Sequence, residues 1–322
     1  MRRLAPRTRV WFARAALVVL ATVCAAAGGE ALARRRYPLL EMPLAGANVE
    51  RDLVNCAYAH PTRGWAALPN RCRRDARGLL PGHDGMRPDG WKLLVVGDSV
   101  GERDWVPLLA AGLEAKAGRP ITVFNASLSG YDTCQGAVTL RERIAELAPD
   151  GVLVQTCVND AFGSAMVAPS GPHWTRVSSS SGWKRVPTLL LRSRIAQLVV
   201  LSGSRPPDMR QRLARVTACA RDMAEAAEEA GIPLAVVHFP ALVDAEEETG
   251  LARGLAADGR ALREAWQGVA APQIDGGEAL RAVDKLSAFA DRPEDRIHPK
   301  NAVSDVIATA FVPEVGPALG LW

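Results

Sequence analysis

The sequence predicts an α/β protein, a three-layer α/β/α sandwich around a parallel sheet of five strands. Two observations carry this. Short apolar runs rich in β-branched residues alternate with longer helix-patterned segments, which is how parallel sheets covered on both faces are written. Clusters of Gly, Pro, Asn and Asp bound the runs, as at strand ends. Right-handed crossovers then select a flavodoxin-like, three-layer order.

The regular domain begins near Trp91. Lys92–Val96 reads as the first strand, broken by Gly97-Asp98-Ser99-Val100, with a helix from Asp104 to Lys116. Ile121–Asn125 is the second strand, followed by the turn-rich loop Ala126-Ser127-Leu128-Ser129-Gly130 and a helix from about Gln135 to Leu147, stopped by Pro149. Gly151–Thr156 is the third strand and runs into Cys157-Val158-Asn159-Asp160. Residues 161–209 read as an insertion with a Ser-rich, Pro/Gly-punctuated front half and an apolar helix near Pro187–Leu201. A long helix follows over Gln211–Ala230. Pro233–His238 and Val269–Ile274 are the fourth and fifth strands, and Asn301 to about Phe311 is a final helix.

Upstream, residues 1–36 carry eight arginines and one acid, Glu30, around the uncharged run Ala15–Gly29. A basic flank, an apolar core and the Ala31-Leu32-Ala33 site are the grammar of an export signal. Extended to Ala33, the run approaches the ~20 residues a spanning helix needs, so an uncleaved anchor is favoured over cleavage. The arginines before the run place the N-terminus in the cytoplasm and the body in the periplasm or outside the cell; cleavage would make the body secreted. Residues 37–90 hold six prolines and little pattern, and read as an extended linker packed on the domain 91–322. Within it, Cys56 and Cys72 are placed to close a loop in an oxidising compartment; Cys134 and Cys157 either pair or remain buried thiols.

The chain's formal charge of +4 belongs to its first 36 residues; the other 286 hold 31 basic against 34 acidic residues. A slightly acidic body argues against nucleic-acid binding. No H-E-x-x-H, paired C-x-x-C or Gly-rich phosphate loop occurs, so no metal and no cofactor is expected.

Chemistry gathers in four short blocks at strand ends and before the last helix, places that share one rim of a parallel sheet. They are Gly97-Asp98-Ser99-Val100, Asn125-Ala126-Ser127-Leu128-Ser129-Gly130, Val158-Asn159-Asp160 and Asp295-Arg296-Ile297-His298-Pro299. A serine hydroxyl needs a base to become a nucleophile, and imidazole titrates near neutrality. Asp295, three residues before His298, suits the role of fixing the ring tautomer. Each block alone is an ordinary turn pattern; together they are coincident in type, order and position.

In this order the blocks resemble the SGNH (GDSL-like) hydrolase family from about Trp91 onward. The resemblance implies Ser99, Asp295 and His298 as catalytic residues. It also implies an oxyanion hole from the N–H groups of Ser99 and Gly130 and the side chain of Asn159. Cys157 departs from the family pattern, which has Gly there. The layout is similar to membrane-anchored bacterial members, which implies an acylated cell-envelope polysaccharide or a small ester as substrate, with Trp65, Trp105, Trp174 and Trp183 available for sugar contacts. Three alternatives remain: an acyltransferase with the same triad, a lipid or thioester hydrolase with 187–201 as a lid, and a non-catalytic glycan-binding or assembly protein. His238, ending the fourth strand, reads as packed or substrate-contacting rather than as the base.

Overall fold

A computed structural model describes residues 6–36, 56–60, 63–82, 87, 89–156, 166–167, 174–179, 182–187, 193, 195, 209–239, 260–280 and 298–322. In chain order the elements are α1 (Pro6–Arg36), β1 (Ala57–His60), β2 (Gly64–Ala67), β3 (Trp91–Val96), α2 (Trp105–Ala117), β4 (Ile121–Asn125), α3 (Thr133–Leu147) and β5 (Gly151–Thr156). After these come β6 (Met166–Val167), β7 (Trp174–Ser179), β8 (Gly182–Pro187), α4 (Met209–Glu229), β9 (Leu234–His238), a helix α5 over 260–266, β10 (Gln273–Asp275), the single turn α6 (Gly276–Ala279) and α7 (Ser304–Ala318).

The central sheet has five strands, all parallel, in the order β10-β9-β5-β3-β4. Period-two alternation divides each strand between two cores. Leu93 and Val95 of β3 join Trp105, Leu109, Phe311 and Val315 on the face covered by α2 and α7. Leu94 and Val96 join Leu140, Met223 and Trp266 on the face covered by α3 and α4. Strands buried on both faces show as continuous apolar runs, which is why β4 and β5 coincide with their sequence-read bounds.

Helix boundaries follow local chemistry. Asp132 caps α3 by accepting the Gln135 N–H at 2.7 Å, and Gln135 returns a bond to the Asp132 N–H, a reciprocal capping box. Gly118, at φ +66°, closes α2 in the left-handed region that glycine enters without a Cβ penalty.

Two boundaries differ most from the sequence reading, the others by three residues or fewer. The fifth strand occupies Gln273–Asp275 rather than Val269–Ile274, because Pro272 lends its carbonyl to Val236 but has no N–H for a ladder. The last helix continues past Phe311 through Pro313 and Pro317 to Ala318. Each proline removes a donor, and the burial of Phe311, Val315 and Leu319 against the sheet outweighs the loss.

Within the segment read as an extended linker, β1 and β2 pair antiparallel. The following segment is tied to the sheet where Leu80 bridges Asn125 at the β4 edge. Within the insertion, β6, β7 and β8 build an antiparallel sheet. β7 takes in Trp174, Ser178 and Ser179, and β8 takes in Trp183 and ends at Pro187. Most of the apolar segment expected as a helix at 187–201 lies outside the described residues.

Two disulfides are present among the described residues. Cys56–Cys72 closes the hairpin segment, the pairing open in the sequence. Cys134 pairs with Cys219, joining α3 to α4, and not with Cys157, which lies outside the described residues. The partner was missed because Cys219 sits mid-helix, away from any strand end; the same two helices are also joined by Arg141 to Asp222 and Glu229.

The helix α1 contains a 20-residue stretch, Arg14–Ala33, long and apolar enough to cross a membrane, with Leu17, Val18, Leu20 and Val23 exposed. Near its end, Glu30 accepts hydrogen bonds from the Ser193 hydroxyl at 2.8 Å and the Ile195 N–H at 3.2 Å.

Candidate active site

The site is assembled at the carboxyl rim of the sheet, where ligands bind in open α/β folds. Gly97-Asp98-Ser99 leaves β3 in a turn held from several sides. The Asp98 N–H donates to Gln155 Oε1 at 3.1 Å, the Asp98 carboxylate accepts the Val100 N–H at 2.8 Å, and the Trp105 indole donates to the Val100 carbonyl at 2.8 Å. Trp105 is therefore a fully buried support beneath the turn and offers no face to a sugar. Ser99 itself stays half-buried at the rim.

His298 arrives from the other end of the chain, just before α7. Its Nε2 lies 2.7 Å from the Ser99 hydroxyl. This is hydrogen-bond distance for a hydroxyl donating to a ring nitrogen, the contact a serine nucleophile needs with its base. The chain resembles the SGNH hydrolases. The second block also reaches the rim: Leu128 N–H donates to the Gly97 carbonyl at 3.0 Å, tying that loop to the turn that carries Ser99. Gly130 follows at φ +77°, in the left-handed region that residues with a Cβ disfavour. Asn125 anchors the loop base, its Nδ2 donating to the Gly101 carbonyl at 2.8 Å and its Oδ1 accepting the Ser127 N–H at 3.0 Å. Asn159 and Asp295 lie outside the described residues, so the structure brings together Ser99, His298 and the Gly130 loop among the sequence-read site residues.

The electrostatics are unusual at Asp98. Burial pushes its carboxyl up to about 6, against the opposing pull of the Val100 N–H and of nearby His298. His238 is packed rather than exposed to the cleft: Nδ1 meets the Thr156 hydroxyl at 2.9 Å and Nε2 meets Gln273 Oε1 at 3.0 Å. Because the Gln273 amide nitrogen donates to the Trp266 carbonyl, its oxygen faces His238, which fixes Nε2–H as the donor and Nδ1 as the acceptor. Burial lowers the pKa of this ring, keeping it neutral.

Sequence reasoning missed Arg74 and Glu102. Arg74, in the irregular segment before the domain, pairs with Glu102, and Glu102 accepts the Ser129 N–H at 3.1 Å. No motif marks either residue. A buried arginine in a proline-rich segment becomes visible only once the fold brings its partner near. Among the described residues no group of three or more His, Cys, Asp or Glu is arranged to hold a metal ion.

No family model matches the chain. A curated arylesterase of Vibrio mimicus is 37% identical over 78 residues, 22% of this chain and 38% of that protein, so the chain matches under two fifths of the relative's length. Among solved structures, the acetylxylan esterase Axe2 of Geobacillus stearothermophilus is 18% identical over 71% of this chain and 95% of its own, with a TM-score of 0.48. LAE5, an alpha/beta hydrolase enzyme from the metagenome of Lake Arreo, is 18% identical over 70% of this chain and 95% of its own, also at 0.48. The psychrotrophic esterase EstA of Pseudoalteromonas sp. is 14% identical over 70% and 97%, at 0.44.

Proposed function

We propose that this chain is a serine esterase that cleaves acyl esters, acetyl esters foremost, on a cell-envelope polysaccharide. The observation that carries the reading is the 2.7 Å contact between the Ser99 hydroxyl and His298 Nε2 at the sheet rim. His298 takes the hydroxyl proton as Ser99 Oγ attacks the acyl carbonyl, and a carbon–oxygen bond forms as the carbonyl π pair moves to oxygen. The N–H groups of Ser99 and Gly130 and the amide of Asn159 receive that oxyanion. Asp295 holds the imidazolium. Collapse expels the sugar alkoxide, which takes the proton from His298. Water then repeats the sequence on the acyl-enzyme, releasing the acid and restoring Ser99.

The N-terminal helix α1 anchors the catalytic body, which faces the periplasm or the exterior. The basic flank before its apolar stretch supports this orientation, and two disulfides among the described residues support an oxidising compartment.

The test is labelling with a fluorophosphonate probe, followed by peptide mass spectrometry and by assay on p-nitrophenyl acetate. The expected result is an adduct on Ser99, with labelling and acetate release both lost in Ser99→Ala and reduced by about 10³-fold or more in His298→Ala. A folded wild-type chain with no adduct and no acetate release overturns the reading. Release of acetate from acetylated envelope glycans, absent on deacetylated ones, checks the substrate class.

A further inference from the structure

Arg74 reaches the site from outside the sheet domain. It stands two residues after Cys72, and its side chain is only 3% exposed. Its Nη1 donates to the Gly78 carbonyl at 3.0 Å, which locks the arginine into its own segment. Its Nη2 donates to the Ser127 carbonyl at 2.9 Å and pairs with the Glu102 carboxylate. Glu102 accepts the Ser129 N–H at 3.1 Å on the oxygen that faces Arg74, and the Ser129 hydroxyl on the other. One joined pair of opposite charges thus holds both ends of Ser127-Leu128-Ser129. The middle of that tripeptide is already tied to Gly97, at the foot of the nucleophile turn. The next residue is Gly130.

We propose that Arg74 is a positioning residue for ester cleavage: acting through Glu102, it sets where the Gly130 N–H stands relative to Ser99. This rests on the esterase reading above and extends it, since it makes the segment before the sheet domain a working part of the site. An oxyanion donor is useful only within about 2.7–3.1 Å of where the charge develops. Charge-assisted hydrogen bonds are among the stiffest contacts available to fix a loop to that tolerance. Arg74 supplies a fork that reaches two carbonyls and a carboxylate at once; a lysine ammonium has the charge without the fork.

The experiment uses the full chain in detergent, as wild type, Arg74→Ala and Arg74→Lys. Turnover of p-nitrophenyl acetate is normalised to the fraction of chains finally labelled by the fluorophosphonate, so that misfolded protein does not count. Outright loss of an oxyanion donor costs about 10²–10³-fold, and a loosened donor is expected to cost about tenfold in kcat in Arg74→Ala. KM stays within about twofold, because the interaction matters in the transition state rather than in the ground state. The acid limb of the pH profile, set by the base, does not move. Arg74→Lys falls between the two, and added guanidinium restores part of the turnover of Arg74→Ala but not of the wild type.

An unchanged kcat per labelled site in Arg74→Ala, even with a lower melting temperature, assigns Arg74 to folding alone and overturns the inference. Should Arg74→Ala fail to fold, Arg74→Lys is judged by the same criterion. A wild-type chain without a Ser99 adduct removes the esterase reading and this inference together, whereas a reactive wild type with equally fast Arg74 variants removes only the inference.

Discussion

Asp98 is fully buried beside Ser99, and its carboxyl, ordinarily near 3.8, is pushed up to about 6 because burial penalises the charge. In the unfolded chain the proton leaves near the ordinary value. Between about pH 4 and pH 6 the folded form therefore holds a proton that the unfolded form has lost, and stability falls as pH rises through that window and levels above it. Asp98→Asn keeps the acceptor for the Val100 N–H and removes the titration. Melting temperatures of wild type and variant, compared from pH 4 to pH 7, are expected to diverge in favour of the variant as pH rises. His238 acts in the opposite direction: burial lowers its pKa, so stability falls as pH drops below the ordinary histidine range. At this scale the sequence was uneven. Ser99 and His298 stand out as candidates because each sits in a short block whose residue types suit one chemistry. Arg74 does not, because what gives it meaning is a carboxylate 28 residues away that only the fold brings into contact.

The elements most legible in the sequence are those buried on both faces, where an unbroken apolar run leaves little choice of bounds. Legibility fails where one residue vetoes or permits continuation. Pro272 delays β10, and Pro313 fails to stop α7 because the face that packs on α2 is long and apolar. The hairpin β1–β2 was invisible, since its strands are four residues each and carry no clear alternation. The α3–α4 link through Cys134 and Cys219 spans 85 residues of sequence. Constraining so long a loop in the unfolded chain stabilises a fold by about 2–4 kcal/mol. Cys134→Ser with Cys219→Ser is accordingly expected to lower the free energy of unfolding in urea by about that amount. Turnover of p-nitrophenyl acetate at low temperature is expected to be retained, because the cross-link joins α3 to α4 and neither cysteine is among the candidate site residues.

For the whole molecule, the charge asymmetry and the apolar stretch of α1 carry the prediction. The full chain is expected in the membrane fraction and to resist extraction by alkaline carbonate. A chain beginning at residue 37 is expected in the soluble fraction with the same turnover of p-nitrophenyl acetate. Fractionation followed by immunoblotting checks both; an equally soluble full chain would count against an anchor. The five-stranded parallel order was legible at this scale because strand–helix alternation and crossover handedness leave few topologies. The antiparallel sheet of β6, β7 and β8 was not, because a Ser-rich stretch has no apolar face to announce a strand.

The contact between Ser99 and His298 joins residues 199 positions apart. A chain synthesised at roughly 5–20 residues per second delivers the serine on the order of ten seconds or more before the histidine. Until then Ser99 is an ordinary alcohol. In the proposed esterase, the nascent chain threads past lipid and glycan esters without being able to cut them. In that reading, reactivity is switched on only when α7 settles onto the sheet and draws His298 to the rim. The order of emergence is the safety catch.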